Sequence, residues 1–518
     1  MAPPNFLFIQ ADQMAASMSP VYGHPLVKTP HLQSLADSGV TFDNGYCNNP
    51  ICASSRFSMM AGQLSSRIGA YDNAAEFPSA IPTFAHYLRS LGYHTCLSGK
   101  MHFVGPDQLH GFEERLTTDI YPSDFGWTPD WSLGDKQLPP SGMSMRSVVE
   151  AGVCTRSLQI DYDEEVLYQA ERKIYDYARD PSDKPFFLGA SFTHPHNPFT
   201  TTQEHWDLYD HDAIDMPKDP GLPMDQRDAF SKRYQYLIRM DEHAVTEEHI
   251  RNARHAYYGM ISYIDDKVGR LLAALDATGL AENTVVVFTA DHGEMMGERG
   301  LWYKFNPFEP SVRVPLILRS PGNAAGRRES KSVSLVDLLP TFLDLATDGN
   351  QPDVIDPVDG FSLAKMLHGE DNDRADEVMV EFTAEGTIAP ALVLRQGKYK
   401  YIYCEPDPGL LYDLEADPHE FDNLCGTAEH AGIEKAMLAT ILERWDPVAL
   451  KADIIASQQR RLYLQEVLMT GKPSPWDFQP QFDATTQYLR TGNSPTQVKG
   501  LARFPYADPI PPDTPRAG

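Results

Sequence analysis

The sequence predicts an α/β fold in which a large mixed, mostly parallel sheet flanked by helices is followed by a small α+β domain with an antiparallel sheet. Short apolar runs alternate with stretches of helical periodicity as far as about residue 375, a pattern typical of parallel strands joined by helices. Several of these runs end in Asp, Lys or His, as expected where strand ends line one ligand-binding edge. Beyond residue 376 the pattern changes. We therefore predict a main domain of residues 1–375 and a C-terminal subdomain of residues 376–518.

Polar side chains follow most of the predicted strands of the main domain. The strands are short apolar runs, as buried parallel strands are: residues 5–12, 93–100, 185–192, 284–290 and 314–318. The polar residues at or just beyond their ends are, in chain order, Asp12, Lys100, His102, His194, His196, Asp291 and His292. Helical periodicity predicts helices over residues 31–38, 81–91 and 161–178, and over 245–277 in two or three consecutive pieces.

The C-terminal subdomain has a different pattern. Residues 378–403 and 411–414 predict a four-stranded antiparallel sheet, and residues 450–469 predict a long helix. The tail beyond residue 472 is rich in Pro, Gln and aromatic residues and cannot form a core of its own. We expect it to wrap around the protein or a neighbouring subunit, and the chain is accordingly predicted to form a homo-oligomer, a dimer or a tetramer.

The composition excludes several classes of partner. The formal charge is -28 and the isoelectric point is near 4.9, so the surface repels nucleic acid and anionic membranes. An anionic substrate needs a local basic pocket, whereas a cationic group on the substrate gains from the overall field.

Three observations predict a cytoplasmic protein. The six cysteines in 518 residues do not form the dense pattern of a disulfide framework. The N-terminus runs directly into the first strand, without the charged region, apolar core and cleavage site of a signal peptide. No apolar run approaches the roughly 20 residues of a membrane span.

A candidate nucleophile, Cys52, stands at the start of a predicted helix, in the stretch ICASSRFSMMAG of residues 51–62. In a helix, Arg56 lies one turn beyond Cys52 on the same face. A helix N-terminus offers free backbone N–H groups and the positive end of the helix dipole, which together with a guanidinium suit a tetrahedral oxyanion such as sulfate or phosphate. Taken alone, such a pair is more often a buried thiol and a surface charge.

Four positions predict a metal site: Asp12, residue 52, Asp291 and His292. The two acids follow apolar strands, whose carboxyl ends meet at one edge of a parallel sheet. Carboxylate oxygens suit a hard divalent cation such as calcium, while one imidazole favours manganese or a similar metal. In isolation, Asp12 is also readily explained as a helix cap, and Asp291 with His292 as a turn.

The order of these motifs resembles that of the type I, formylglycine-dependent sulfatases. Their signature is Cys (or Ser)-x-Pro-x-Arg, and Ser54 stands at the third position here, where the family usually has Pro or Ala. The matching motifs cover nearly the whole chain: residues 5–12, 52–62, 99–102, 193–196, 291–293, 411–414 and 417–418. The resemblance implies an alkaline-phosphatase-like fold, with residues 1–375 as the catalytic domain, and hydrolysis of a sulfate monoester.

The resemblance also implies a mechanism. In the family, a formylglycine-generating activity oxidises the residue that matches Cys52 to an aldehyde. The hydrate of that aldehyde, held by the metal, attacks sulfur and displaces the alcohol, and its second hydroxyl then expels sulfate. Arg56 and Lys100 are implied to offset charge.

Further roles are implied for residues near the sulfate and the leaving oxygen. Asn73 is expected to bond a sulfate oxygen, and His102 to act as the base that releases sulfate. His194 is expected to be the general acid at the leaving oxygen, with Lys304 beside it, and His196 to be structural. The alternatives are a surface charge for Lys100 and satisfied core histidines for His102 and His196.

Other stretches resemble the choline sulfatases within this family: residues 71–76, 105–122, 124–130 and 297–304. The functional interpretation of Trp127 and Trp131 is a cation–π wall for a quaternary ammonium group, with Glu385 or an acid of the tail as countercharge; the alternative for either tryptophan is an ordinary core residue. Residues 141–145, Ser-Gly-Met-Ser-Met, depart from the aromatic- and His-containing lining expected of that pocket.

The sequence therefore predicts metal-dependent hydrolysis of sulfate monoesters through formylglycine, with choline sulfate as the leading substrate. Two alternatives are kept. One is an aryl- or alkylsulfatase, or a phosphonate or phosphate monoester hydrolase, on the same scaffold. The other is a non-catalytic protein that binds choline-like cations.

Overall fold

The computed structural model describes residues 3–180, 182, 184–218, 223, 226–350, 352–370 and 374–472, together with residues 485 and 504. Within these ranges the strands are β1 (Asn5–Ala11), β2 (Val40–Phe42), β3 (Gly45–Tyr46), β4 (His94–Gly99), β5 (Glu114–Arg115), β6 (Gly152–Val153), β7 (Phe186–Ser191), β8 (Thr200–Thr201), β9 (Thr284–Ala290), β10 (Leu316–Arg319), β11 (Arg327–Glu329), β12 (Val333–Ser334), β13 (Glu377–Phe382), β14 (Ala391–Gln396), β15 (Tyr399–Tyr403) and β16 (Leu410–Asp413). The helices are α1 (Pro30–Ser38), α2 (Cys52–Ala61), α3 (Ser65–Ile68), α4 (Phe84–Ser90), α5 (Arg146–Val149), α6 (Leu158–Arg179), α7 (Gln203–Trp206), α8 (Ala229–Leu237), α9 (Glu247–Thr278), α10 (Glu309–Val312), α11 (Leu338–Thr347), α12 (Ala364–Leu367), α13 (Ala431–Arg444) and α14 (Pro447–Leu468).

The large sheet has the strand order β11-β2-β10-β9-β1-β7-β4-β5 in the described part of the chain. Strands β9, β1, β7, β4 and β5 run parallel, whereas β10 runs antiparallel to both β9 and β2. Strands β1 and β9 are buried along their whole length, which explains why their sequences are continuous apolar runs rather than alternating ones. The predicted α/β fold with a mixed, mostly parallel sheet is confirmed.

The register of the central strands brings their polar ends together. Ala11 of β1 pairs with Ala290 of β9, so the residues that follow, Asp12 and Asp291, leave the sheet side by side. On the other side of β1, Gly99 of β4 pairs with the last residue of β7, and Lys100 follows directly. In open parallel sheets this edge is where ligands bind.

Helix α2 begins at Cys52 and is buried at every residue. It packs against α4 and α11 and ends at Gly62, whose φ of 65° is left-handed. A Cβ at that position would also lie 3.1 Å from Leu339, so both the backbone and the packing require glycine. The predicted helix that starts at Cys52 and carries Arg56 one turn later is confirmed.

The C-terminal region contains the antiparallel sheet β13-β14-β15-β16, as predicted. Its core includes Leu394 of the sheet and Ile454 of α14, and the same cluster contains Leu64 and Trp131 of the main domain. The small sheet therefore packs directly on the main domain. Strand β13 begins at Glu377, and the division of the chain at residue 375 stays a prediction.

Some helices differ from the prediction, α9 and α13 among them. Residues 247–278 form one continuous helix, α9, and not two or three pieces. Gly259 lowers helix propensity in its middle, but a Cβ there would lie 2.9 Å from Thr201, so glycine serves the packing of β8 and does not break the helix. Helix α13 was not predicted, because Met437 and Ile441 are its buried residues and its apolar periodicity is weak.

The predicted oligomerisation tail beyond residue 472 lies outside the described residues, apart from residues 485 and 504. Among the described helices, none combines the length and the apolar character needed to cross a bilayer.

Candidate active site

Residue 52 lies at the centre of the polar edge, in the first turn of α2. The Sγ atom of Cys52 is 3.2 Å from Nε2 of His292 and 3.6 Å from Nζ of Lys304. Burial raises the pKa of this thiol, but Lys100, Lys304 and His292 outweigh burial and hold the pKa of Cys52 well below its usual value. Position 52 therefore stabilises negative charge on whatever side chain it carries.

Asp12, Cys52, Asp291 and His292 offer ligand atoms that all lie within 4.8 Å of one another, and all four side chains are buried. Arg56 holds one oxygen of each carboxylate: Oδ2 of Asp12 at 3.0 Å and Oδ2 of Asp291 at 2.8 Å. The Oδ1 atoms face Nε2 of His292, at 3.9 and 3.7 Å. The guanidinium thus orients both carboxylates so that one oxygen of each is turned toward a common centre.

Lys100 is the second buried cation of the site. Its Nζ contacts Oδ2 of Asp12 and lies 4.1 Å from the centre of the Tyr121 ring. Burial and Cys52 act to raise the pKa of Asp12, but the surrounding cations, Lys100 first and then others including Arg56, hold it at about 2. Asp12 is therefore ionised at neutral pH, as a metal ligand must be.

His292 turns one ring nitrogen toward the backbone and the other toward residue 52. Its Nδ1 lies 3.1 Å from the carbonyl oxygen of Gly293. Because a carbonyl only accepts, Nδ1 carries a proton, and Nε2 is the ring nitrogen that faces residue 52 and can bind a metal. Two carboxylate oxygens, one imidazole nitrogen and residue 52 form an oxygen-rich donor set, which fits a hard divalent cation such as calcium, or manganese.

His102 and Asn73 border the site. Both ring nitrogens of His102 are buried without a hydrogen-bond partner among the residues that the structure describes. Because buried imidazoles are normally hydrogen-bonded, this ring is available to a group that enters the site. Asn73 lines the cavity, and its Oδ1 accepts a hydrogen bond from the backbone N–H of Ala53, at 3.0 Å, in the first turn of α2.

Of the two histidines after β7, His196 reaches the site and His194 does not. Nδ1 of His194 lies 2.7 Å from the buried carboxylate of Asp163, which also accepts the backbone N–H of His194 at 3.0 Å. His196 lines the cavity, and its Nε2 is 2.6 Å from Nζ of Lys304. The predicted orientation of the two histidines is corrected: Asp163 holds His194 away from the cavity, and His196, predicted to be structural, lines it.

Lys304 is held by a strained backbone. The residues on either side of it, Tyr303 and Phe305, have φ angles of 64° and 67°, a left-handed conformation that is unusual for aromatic residues and typical of functional sites. Nζ of Lys304 donates a hydrogen bond to Oε1 of Gln13 at 2.5 Å. Burial and Lys304 lower the pKa of His196, so His196 is neutral at neutral pH.

A cavity of about 620 Å³ opens at residue 52. The rings of Trp127 and Tyr121, whose centres are 5.2 Å apart, form an aromatic wall. Residues 141–144, where the sequence departs from the choline sulfatases, form a non-aromatic part of the lining. The aromatic wall of the cavity is therefore suited to a cation, whereas residues 141–144 present small or flexible side chains.

Trp131 occupies different surroundings from those predicted, whereas the role of Glu385 stays a prediction. Nε1 of Trp131 donates to the carbonyl oxygen of Ala384 at 3.0 Å, and the indole belongs to the core beneath the small sheet. The predicted wall of two tryptophans is therefore corrected to Trp127 with Tyr121. Glu385 is buried, its Oε2 has no hydrogen-bond partner within the described residues, and burial, with smaller contributions from neighbouring acids, raises its pKa to about 8.

Gln13 and Tyr121 are site residues that the sequence did not single out. Tyr121 lies in the stretch 105–122, which already carried the likeness to choline sulfatases, so a signal for it was present. Gln13 has a φ of 64°, and backbone strain of this kind cannot be read from a sequence.

The fold and the site together define a class of enzyme. The chain belongs to the sulfatase family: the family described as Sulfatase matches residues 4–348. The region described as N-sulphoglucosamine sulphohydrolase, C-terminal, matches residues 297–446, and that described as choline sulfatase enzyme C terminal matches residues 452–504. The chain is a sulfuric ester hydrolase, as predicted, and this removes the non-catalytic alternative.

Individual relatives agree with this class. The chain is 43% identical to a choline-sulfatase of Rhizobium meliloti over 98% of this chain and 99% of the relative. It is 28% identical to an arylsulfatase of Clostridium perfringens over 82% of this chain and 91% of the relative. Among solved structures, the phosphonate monoester hydrolase of Agrobacterium radiobacter has a TM-score of 0.68 at 25% identity, covering 87% of this chain and 96% of that one. The predicted alkaline-phosphatase-like fold and the resemblance to choline sulfatases are confirmed.

Proposed function

We propose that this enzyme hydrolyses choline sulfate to choline and sulfate, with one divalent metal and a formylglycine formed from Cys52. The observation that carries the proposal is the convergence of Asp12, residue 52, Asp291 and His292 within 4.8 Å, at the mouth of a cavity with an aromatic wall. The 43% identity to a choline-sulfatase over nearly the whole chain supports the choice of substrate.

Calcium is the proposed metal, with manganese as the alternative, and the four converging residues would hold it. When bound, the metal supplies positive charge that polarises a sulfate oxygen and favours an ionised hydroxyl at residue 52. Arg56 keeps the Oδ1 atoms of Asp12 and Asp291 turned inward, and His292 already turns Nε2 toward residue 52.

Formylglycine at residue 52 would supply a hydrated aldehyde, with one hydroxyl to attack sulfur and a second to release sulfate. The conversion of Cys52 requires an oxidant and a formylglycine-generating activity in the host cell. The hydroxyl of Ser54 is buried and has no hydrogen-bond partner among the described residues. No hydrogen bond to these residues therefore requires serine rather than Pro or Ala at position 54. One water is consumed for each ester cleaved.

Positive charge and one amide bind the sulfate group in this proposal. Arg56, Lys100 and Lys304 surround residue 52 and offset the negative charge of the sulfuryl oxygens as the S–O bond breaks. Asn73 has its Oδ1 engaged by the backbone of α2, so its NH₂ group is the end left to donate to a sulfate oxygen.

Lys304 and His196 are proposed to serve the leaving oxygen. The cationic Lys304 donates a proton to the departing alkoxide and recovers one through the neutral His196, 2.6 Å away. His102, with both ring nitrogens free of hydrogen bonds to described residues, is proposed as the base that takes a proton from residue 52 when sulfate is expelled.

The choline group is proposed to bind against Trp127. A quaternary ammonium over an aromatic face gains about 2 kcal/mol when desolvated. Lys100 already covers one face of Tyr121, which leaves Trp127 as the main contact. Glu385 would add countercharge once ionised, and the net charge of -28 would draw the cationic end of the substrate toward the protein.

Parallel assays test the proposed substrate. The kcat/KM is measured for choline sulfate, nitrophenyl sulfate and a phenyl phosphonate ester, after the metal content and the state of residue 52 have been determined by mass spectrometry. The proposal predicts the highest kcat/KM for choline sulfate. Equal or faster turnover of either aryl ester would exclude choline sulfate as the preferred substrate and leave the sulfatase chemistry in place.

One observation favours a second candidate. Residues 141–144 line the cavity with small side chains and one methionine, which leaves room for a flat aryl group in place of choline. An aryl- or alkylsulfatase, or a phosphonate or phosphate monoester hydrolase, would use the same site. The assays above distinguish these candidates, since they share residue 52 and differ only in the cavity.

We further propose a homo-oligomer, dimer or tetramer, in the cytoplasm. Tyr463 and Val467 of helix α14 are exposed just before the tail, as is Met469 after the helix end, which supports assembly through this end of the chain. All six cysteines are free, as in reducing compartments. Truncation after residue 472 should lower the assembly size and the activity, measured by light scattering and choline sulfate assay. An unchanged monomer with full activity would refute this role.

A further inference from the structure

Glu294 is a fully buried carboxylate to which the proposed chemistry assigns no role. It lies two residues beyond His292, on the segment that leads from β9 toward Lys304. Its Oε1 accepts the backbone N–H groups of Met296 at 2.9 Å and of Tyr303 at 2.5 Å. Its Oε2 accepts Nε2 of Gln13 at 2.5 Å. Two of these three donors belong to residues that border Lys304 or contact it, namely Tyr303 and Gln13.

Gln13 connects Glu294 to the Lys304 ammonium. Its Nε2 donates to Glu294, and its Oε1 accepts from Nζ of Lys304 at 2.5 Å. A side-chain amide has one donating and one accepting end, and a carboxylate only accepts. Glu294 therefore determines which end of the Gln13 amide faces Lys304, and that end is the oxygen.

Glu294 also holds the backbone next to Lys304. The N–H group that it binds in Tyr303 belongs to a residue with a φ of 64°, a conformation that costs free energy and persists only when its surroundings fix it. One carboxylate thus holds Lys304 at two points, by the preceding peptide and through the Gln13 amide.

We propose that Glu294 is a positioning residue which, through Gln13, sets the Lys304 ammonium beside residue 52 for protonation of the leaving oxygen. This inference rests on the proposed function of Lys304 and deepens it. It predicts a specific failure in the Glu294→Gln variant. The new NH₂ group would face the NH₂ group of Gln13, the Gln13 amide would turn over, and its NH₂ would then face the ammonium and displace it.

The test compares a poor leaving group with a good one. An alkoxide such as that of choline needs a proton as it leaves, whereas nitrophenolate does not. For Glu294→Gln, kcat on choline sulfate should fall about tenfold or more, while kcat on nitrophenyl sulfate should fall less than about threefold, because general acid catalysis is lost only where it is needed. KM should change little on either ester. Rates are normalised to the formylglycine and metal content of each preparation.

An exchange of side chains provides the rescue. In the double variant Glu294→Gln with Gln13→Glu, the amide at 294 donates to the carboxylate at 13, whose other oxygen again accepts from Lys304, and the total charge is unchanged. This variant should recover the ratio of alkyl to aryl sulfate turnover. Gln13→Met removes the amide that connects Glu294 to Lys304 but keeps Glu294. It should lower the ratio of alkyl to aryl sulfate turnover as Glu294→Gln does.

A matched control is Glu381→Gln. Glu381 is also a fully buried carboxylate, and it accepts hydrogen bonds from Ser66 and Trp445. Its variant should lower the melting temperature and leave the ratio of the two rates unchanged.

Two results would overturn the inference. One is an equal loss on both esters in Glu294→Gln, and the other is a ratio that the exchange of side chains does not restore. If a Glu294 variant does not fold, the inference is tested by the ratio of alkyl to aryl sulfate turnover in Gln13→Met, and an unchanged ratio overturns it. Failure of the proposed substrate is seen separately, because the wild-type enzyme would then turn over choline sulfate poorly; the same ratio is then measured with another alkyl sulfate.

Discussion

The edge around residue 52 and the cavity wall above it are built in opposite ways. At the edge, Arg56 donates five hydrogen bonds to the side chains and backbone around it, and the charged side chains are fully buried. At the wall, Trp127 is half-exposed and the residues from Ser141 to Ser144 are small or flexible. The edge therefore fixes the chemistry, since each charge depends on the others, whereas the wall can change its contacts without disturbing them.

This difference predicts that substitutions at the edge and substitutions at the wall affect activity in different ways. Removing one charge from the edge leaves its partner buried and unpaired, which costs several kcal/mol and affects every substrate alike. A change in the wall removes contacts with the alcohol only, so it should appear in KM and should depend on the ester.

The largest effect is expected for the nucleophile at the edge. Cys52→Ala removes the only residue that becomes formylglycine in the proposal, so kcat/KM should fall about 10⁴-fold or more on every ester. The fold should be retained, because alanine is smaller and apolar. Steady-state assays and thermal melting measure this. Cys425→Ala, far along the chain in the C-terminal region, is the control and should keep full activity; residual activity near wild type in Cys52→Ala would contradict the proposed role.

A smaller but still general loss is expected for a metal ligand. Asp12→Asn keeps the shape of the side chain and removes the charge that Lys100 and Arg56 neutralise. Bound metal should be lost and kcat should fall about 10²-fold or more on all esters, since the proposed charge stabilisation goes with it. Metal analysis and activity are measured together, with exposed Asp453→Asn as the control. Full metal content in Asp12→Asn would remove Asp12 from the ligand set.

The wall should respond selectively. Trp127→Ala should raise KM for choline sulfate about tenfold, somewhat less than the full cation–π energy because the indole is half-exposed, and should leave KM for nitrophenyl sulfate nearly unchanged. Trp131→Phe is the matched control: it loses the hydrogen bond to Ala384, so it should cost about 1 kcal/mol of stability and leave both KM values unchanged. Equal KM effects of the two substitutions would contradict the placement of Trp131 in the core.

The smallest effect concerns the charge of Glu385. Its pKa is raised to about 8, chiefly by burial, so the side chain is neutral below that pH and ionised above it. KM for choline sulfate should fall a few-fold as pH rises through this range, and KM for nitrophenyl sulfate should not. The raised pKa also means that the native state loses stability as pH rises from about 4.5, the ordinary pKa of a glutamate, to about 8. Glu385→Gln should remove both effects; a KM for choline sulfate that still falls with pH in this variant would assign the change to another group.

The central strands and the metal cluster were predictable from the sequence, because buried parallel strands are continuous apolar runs and their polar ends must meet at one edge. Asp12, Asp291 and His292 follow directly from this rule. The antiparallel sheet was also predicted, from the change of pattern after residue 376.

The roles of neighbouring polar residues were not predictable in the same way. His194 and His196 are two residues apart, and only the buried Asp163, distant in the chain, decides which of them turns toward the cavity. Trp127 and Trp131 likewise differ only in that the small sheet packs over Trp131. The orientation of the two histidines and the burial of Trp131 both depend on tertiary contacts, which a local sequence pattern does not predict.

The central claim is that residue 52, as formylglycine, carries out the hydrolysis of choline sulfate at this edge. The most direct test is to prepare the enzyme with graded degrees of conversion, by varying the supply of formylglycine-generating activity, and to measure kcat for choline sulfate against the fraction of formylglycine at residue 52. A proportional relation that passes through zero is expected. Activity that persists when residue 52 is entirely cysteine would contradict it.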